Sequence, residues 1–203
     1  MARDKVAPKK VAPKKSSFWK ILVAIPVAIL LLAGAMQIRN ALREASDAKE
    51  SQTLSAQLDT EIQSGNNELQ DAQAILDTIV QDVDAIGLDK ARANHKDDGK
   101  KASESFVRVK ASFHHAGELA RQLKAHTSSE AWQEFFATKA EYYATYEQLG
   151  ETDLQLAATL FDPSITDSKA LLEKLRDGVQ KRNGLLKQAK EQLRAIKAPE
   201  KPH

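Results

Sequence analysis

From Ile62 the apolar positions step through Gly65, Leu69, Ala72, Leu76, Ile79, Val83 and Ile86 at intervals of three and four. That interval is the seam of a helix packed on other helices, and no strand can use it, because a strand alternates faces every second residue. No proline falls between Pro26 and Pro163. A chain with this pattern over most of its length has to fold as helices.

Three more stripes follow. Phe106, Val109, Phe113, Ala116, Ala120 and Leu123 mark a second helix, expected to start near Ser103. Residues 87–101 are polar, carry two glycines and read as a long connection with room for a short helical turn. Thr127 to Glu130 offers cap residues for a third helix. That helix holds Trp132, Phe135, Phe136, Tyr142, Tyr143 and Tyr146, six of the eleven aromatics. Leu154, Ala157, Leu160 and Phe161 keep the same phase, so one helix should run past Gly150 to the Asp162-Pro163 stop, bent or straight. A fourth helix, capped by Thr166, Asp167 or Ser168, has the seam Leu172, Leu175, Val179, Arg182, Leu186, Ala189, Leu193 and Ile196. Gly65-Asn66-Asn67 is a candidate kink in the first helix. The expected fold is all-α: an antiparallel, four-helix bundle over residues 39–198, with a three-helix bundle on a stalk as the alternative.

The segment before the bundle sets its place in the cell. Residues 18–38 form one apolar block, charge-free from Ile21 to Met36. With Phe18, Trp19 and Lys20 at one edge it reaches about 31 Å, enough for a membrane core of roughly 30 Å. Trp19 suits the headgroup level and Lys20 can snorkel. Ala33-Gly34-Ala35 also fits a cleavage pattern, so a signal peptide cut after Ala35, leaving a secreted bundle, is the competing reading.

Residues 1–20 hold seven Lys or Arg and one acid. By the positive-inside rule the N-terminus faces the cytoplasm and the body faces outward, into the periplasm if the cell is a bacterium with an inner membrane. The tail at 1–17 repeats VAPKK and cannot bury a core. It should stay disordered and lie against anionic lipid headgroups. The rest of the chain has 23 basic and 27 acidic residues, so no nucleic-acid-binding body is expected. Residues 199–203 should fray.

Signatures of chemistry are missing. Cysteine is absent, which removes disulfides and thiolate metal sites. The Glu-x-x-His pairs of di-iron bundles do not occur, nor do HExxH, GxSxG or a phosphate loop. His114 and His115 fall beside the Phe113 seam and should be solvated. No cofactor, metal or catalysis is expected.

Lys139, Asp153 and Arg182 interrupt apolar stripes and need partners inside the bundle. With a turn near residue 164, Arg182 would stack on Tyr146. Together with Trp132 these four are the candidate contacts for a partner or ligand.

The layout of a membrane helix leading into an outer four-helix bundle resembles bacterial chemoreceptor and sensor-kinase ligand domains. Those receptors return through a second membrane helix, and no second apolar block follows here. The functional expectation is a single-pass, non-enzymatic interaction or scaffold protein, with self-association possible through its seams. The alternative is a sensor-like ligand-binding bundle that works through a separate signalling partner.

Overall fold

The computed structural model describes residues 48–197 and Pro199. These build five helices and no strand: α1 (Ala48–Ile86), α2 (Leu88–Asn94), α3 (Lys96–Ala125), α4 (Glu130–Leu160) and α5 (Ser168–Ala195). Among the described residues no helix is long and apolar enough to cross a membrane. The expected anchor at 18–38, with Phe18, Trp19 and Lys20, lies outside them, as does the basic tail.

The four long helices run up, down, up and down around one core. Cross-links between neighbours fix the directions. Glu61 meets His115, Glu68 meets Arg108 and Asp82 meets His95, so α3 descends as α1 climbs. Lys110 meets Glu151 and His114 meets Glu147 between α3 and α4. Asp153 meets Arg182 and Thr145 meets Gln192 between α4 and α5. α1 has 39 residues and spans roughly 58 Å. Glu50 near its start still reaches His126, so α1 belongs to the bundle and is no free stalk.

The expected seams supply the core on three helices. Leu58, Ile62, Leu69, Ala72 and Ile79 of α1 are buried, but its expected Leu76 and Val83 are half-buried and Ile86 is exposed at the helix end. So are Phe106, Val109, Phe113, Ala116, Ala120 and Leu123 of α3 and the aromatic stripe of α4, apart from half-buried Trp132. α4 is one uninterrupted helix through Gly150, which is glycine because a Cβ there would lie 3.2 Å from the Lys110 backbone nitrogen. Gly65 makes no break in α1 either; the ring of Phe113 lies against it, 3.0 Å from where a Cβ would stand.

One expectation fails and a second is met in part. Residues 87–101 are not a long connection, and the second long helix does not wait for Ser103. Gly87, at φ 89°, turns α1 into the short α2, and α3 begins at Lys96. Polar composition hid this, because the segment is held by single contacts rather than an apolar stripe. The His95 ring sits between Asp82 at 2.7 Å and Asp98 at 3.2 Å, and both carboxylates raise its pKa. Gly99 is buried because the ring of Phe161 occupies the space of a side chain.

The second holds only in part: of the expected α5 seam, Leu175, Ala189 and, just past the helix end, Ile196 are buried, but Leu171 and Leu185 are buried beside them, Leu172 is 39% exposed and Val179, Leu186 and Leu193 are half-buried. The helix is rotated towards α4, where Gly178 allows Leu156 to close in. Asp167 starts it by accepting a bond from the Ala170 amide at 2.9 Å.

A second, smaller apolar cluster caps the end where α2 and the α4–α5 turn meet. Ile79, Leu88, Leu160, Ile165, Leu171 and Leu175 form it. Arg92 ties the turn down, donating from Nε to the Leu160 carbonyl at 2.7 Å and from Nη1 to the Ile165 carbonyl at 2.5 Å.

Candidate functional site

The charged residues singled out on the apolar stripes all lie inside the bundle, in two separate layers. In the first, Lys139 of α4 is 1% exposed. Its Nζ stands 5.7 Å from the Phe135 ring and 6.0 Å from the Tyr142 ring, close enough for cation–π attraction. Burial pushes its pKa down to about 8, and the Asp59 carboxylate on α1 opposes that fall. The same burial and the same carboxylate raise the Tyr143 phenol above its ordinary range.

The second layer lies two heptads further along both α1 and α4. Asp153 is 2% exposed and accepts a bond from Arg182 Nε of α5 at 2.7 Å. Gln73 of α1 donates to its other oxygen at 3.5 Å. Burial raises the Asp153 pKa, and Arg182 with Gln73 holds it back. Asp77 of α1 is raised by burial too and feels the same guanidinium. Three helices therefore contribute to one polar layer.

The expected stack of Arg182 on Tyr146 is not formed. The Tyr146 ring lies 4.9 Å from Phe113 and 5.0 Å from Tyr142. Arg182 lies one heptad away, opposite Asp153, because the first two turns of α5 run past the end of α4 and pack on Val80 and Val83 of α1. A register counted from a tight turn at residue 164 misses that overhang. Trp132 stacks edge-on with Phe135 at 5.2 Å, near the other end of α4. The structure thus joins Asp153 to Arg182, and leaves Lys139, Tyr146 and Trp132 in the aromatic core away from them.

Asp59, Gln73 and Asp77 are the partners that pattern reading missed. Each is a polar residue on a long helix rich in glutamine and aspartate, and nothing in one sequence marks which of them turns inward. His114 and His115 are exposed as expected, paired with Glu147 and Glu61 on opposite neighbours. Among the described residues no three His, Asp or Glu side chains converge to hold a metal.

The backbones of α1 and α5 stay further apart than those of the other neighbouring pairs. Where they meet, a shallow apolar depression of about 140 Å³ opens between Val80, Val83 and Asp84 of α1, Leu160, and Ser168, Leu171, Leu172 and Leu175 of α5.

No family model matches this sequence, and neither the curated proteins nor the solved structures contain a detectable relative.

Proposed function

We propose that this chain is a non-enzymatic interaction protein: a single-pass, membrane-anchored helical bundle that docks a protein partner on the outer side of the membrane. The observation that carries this is how the interior charges are used. Lys139, Asp153 and Arg182, the side chains a small ligand would have engaged, are turned inward: Asp153 is bonded to Arg182 and Gln73, and Lys139 lies among aromatic rings under the influence of the Asp59 carboxylate. The depression at the α1/α5 end is small beside the roughly 300–1,000 Å³ of an ordinary ligand pocket. Among the described residues the bundle offers mainly surface, and a long bundle is a rigid means of presenting surface at a distance from a membrane. The apolar segment at 18–38 and the basic tail supply the anchor and its orientation in this reading.

The test is crosslinking in intact cells followed by purification of the tagged full chain from detergent. A protein partner present in stoichiometric amount is the expected result. Native mass spectrometry that finds a small molecule retained by the bundle, with no crosslinked protein, would overturn the proposal in favour of a ligand-binding module.

A further inference from the structure

On α5, Leu172, Val179, Leu186 and Leu193 recur every seventh residue, yet the helix buries the neighbouring stripe more deeply, with Leu186 and Leu193 only half-buried against the core. The heptad stripe is left along the lip of the α1/α5 seam, half-covered on the side of the core. Apolar residues at a strict period of seven fit a second helix laid alongside them.

The charges beside the stripe are one-sided. At 100° per residue, Lys169, Arg176, Lys187, Lys190 and Arg194 all fall within roughly 90° of its centre, on the solvent side. All five are exposed. The three acids of α5, Glu173, Asp177 and Glu191, fall at roughly 130° or more. Lys187 reaches Glu191 at 3.9 Å, a solvent-exposed pair of little strength. Across the seam α1 has no Lys or Arg after Lys49 and sets Asp77 and Asp84 on the side of α5, so the basic wall is that of α5 alone.

The same charges exclude the nearest occupant. A second copy offering α5 would bring like charges together. A second copy offering α1 would present an outer face of Gln63, Asn67, Gln70, Ala74 and Gln81, with no apolar stripe. We infer that the α1/α5 seam docks an acidic amphipathic helix from a different protein, its apolar face on Leu172, Val179, Leu186 and Leu193 and its carboxylates against the basic edge of α5. This rests on the reading of the chain as a docking protein and names the chemistry of what it docks.

The probe is a labelled helical peptide of about four heptads, Leu at a and d and Glu at e and g, with a control carrying Lys at e and g. Anisotropy with the detergent-solubilised full chain should show binding of the Glu peptide alone, weakening as salt rises from about 0.1 to 0.5 M. Lys190→Glu/Arg194→Glu should lower its affinity at least about tenfold. The melting temperature should not move, since both side chains are exposed. Absence of Glu-peptide binding, or equal binding by the reversed variant, overturns the assignment. So does binding to phosphatidylglycerol vesicles that this variant loses while the peptide is ignored, which would make the edge a membrane contact. A photo-crosslinker at Val107 on the outer face of α3 that captures a protein, when one at Val179 captures none, would leave the docking function standing and remove it from this seam.

Discussion

Arg182→Met should destabilise the bundle by about 3–5 kcal/mol at neutral pH, the range for removing one member of a buried ion pair. The magnitude follows from what stays behind. Asp153 is 2% exposed, and loss of the guanidinium at 2.7 Å leaves it the long bond from the Gln73 amide at 3.5 Å. A ring partner at Tyr146 would have made the same change neutral; a carboxylate partner reverses the sign. For a body of this size the loss corresponds to a fall of roughly 6–20 °C in melting temperature.

The pH dependence carries a second signature. Burial already raises the Asp153 pKa above 3.8, and loss of Arg182 raises it further. The folded state then holds a proton that the unfolded chain releases, so stability increases as pH falls through that window. The deficit of Arg182→Met should therefore shrink between pH 8 and pH 4.5. Arg182→Met/Asp153→Leu removes both charges and should be as stable as the wild type, or up to about 4 kcal/mol more so. Urea unfolding of residues 48–197, followed by circular dichroism at the two pH values, measures all of this. An Arg182→Met protein as stable as the wild type at pH 8, or a deficit unchanged at pH 4.5, would refute the reasoning.

Three further outcomes are expected from the same measurement. Leu69→Ala, at a buried seam position, should cost about 2–5 kcal/mol, whereas His114→Ala on the outer face should cost under about 0.5 kcal/mol. Gly99→Ala should cost about 1–3 kcal/mol, because the new Cβ would stand 2.3 Å from the Phe161 ring and force it aside. Lys139→Met should raise stability by roughly 3 kcal/mol at most below pH 8. That gain should vanish as pH climbs from about 8 to 10.5, since a lysine with a lowered folded pKa destabilises in full while both states are protonated and not at all once both are neutral.

The sequence was most legible where burial repeats. The seams of α1, α3 and α4 follow from spacing alone, because a helix face must bury every third or fourth residue to hold a core. Legibility ended where one residue decides. Gly99 starts no loop, and only the Phe161 ring opposite explains it. α5 carries two adjacent apolar stripes, and the choice between them belongs to Gly178 and Leu156, on different helices. Arg182 plainly needed a partner, but which one depended on how far α5 overhangs α4. Pattern within a helix does not fix register between helices.

The two polar layers supply that register. The Asp59 carboxylate acts electrostatically on Lys139 and Gln73 donates to Asp153, each pair relating α1 to α4 with the same offset. Slide α4 by one heptad and the apolar seams still match. Lys139 would then face Asn66 or Gln52, and Asp153 would face Val80 or Asn66. Slide it by two heptads in one direction and Asp153 meets Asp59, two carboxylates in one interior. Every misregister takes Lys139 or Asp153 away from the α1 group that offsets its burial, which costs free energy. Leucine and alanine in the same places would pack as well and would tolerate all of these arrangements. The buried charges contribute little net stability here; their effect is that the long, repetitive helices α1 and α4 have one alignment, and the basic edge of α5 is then held at a fixed place along the bundle.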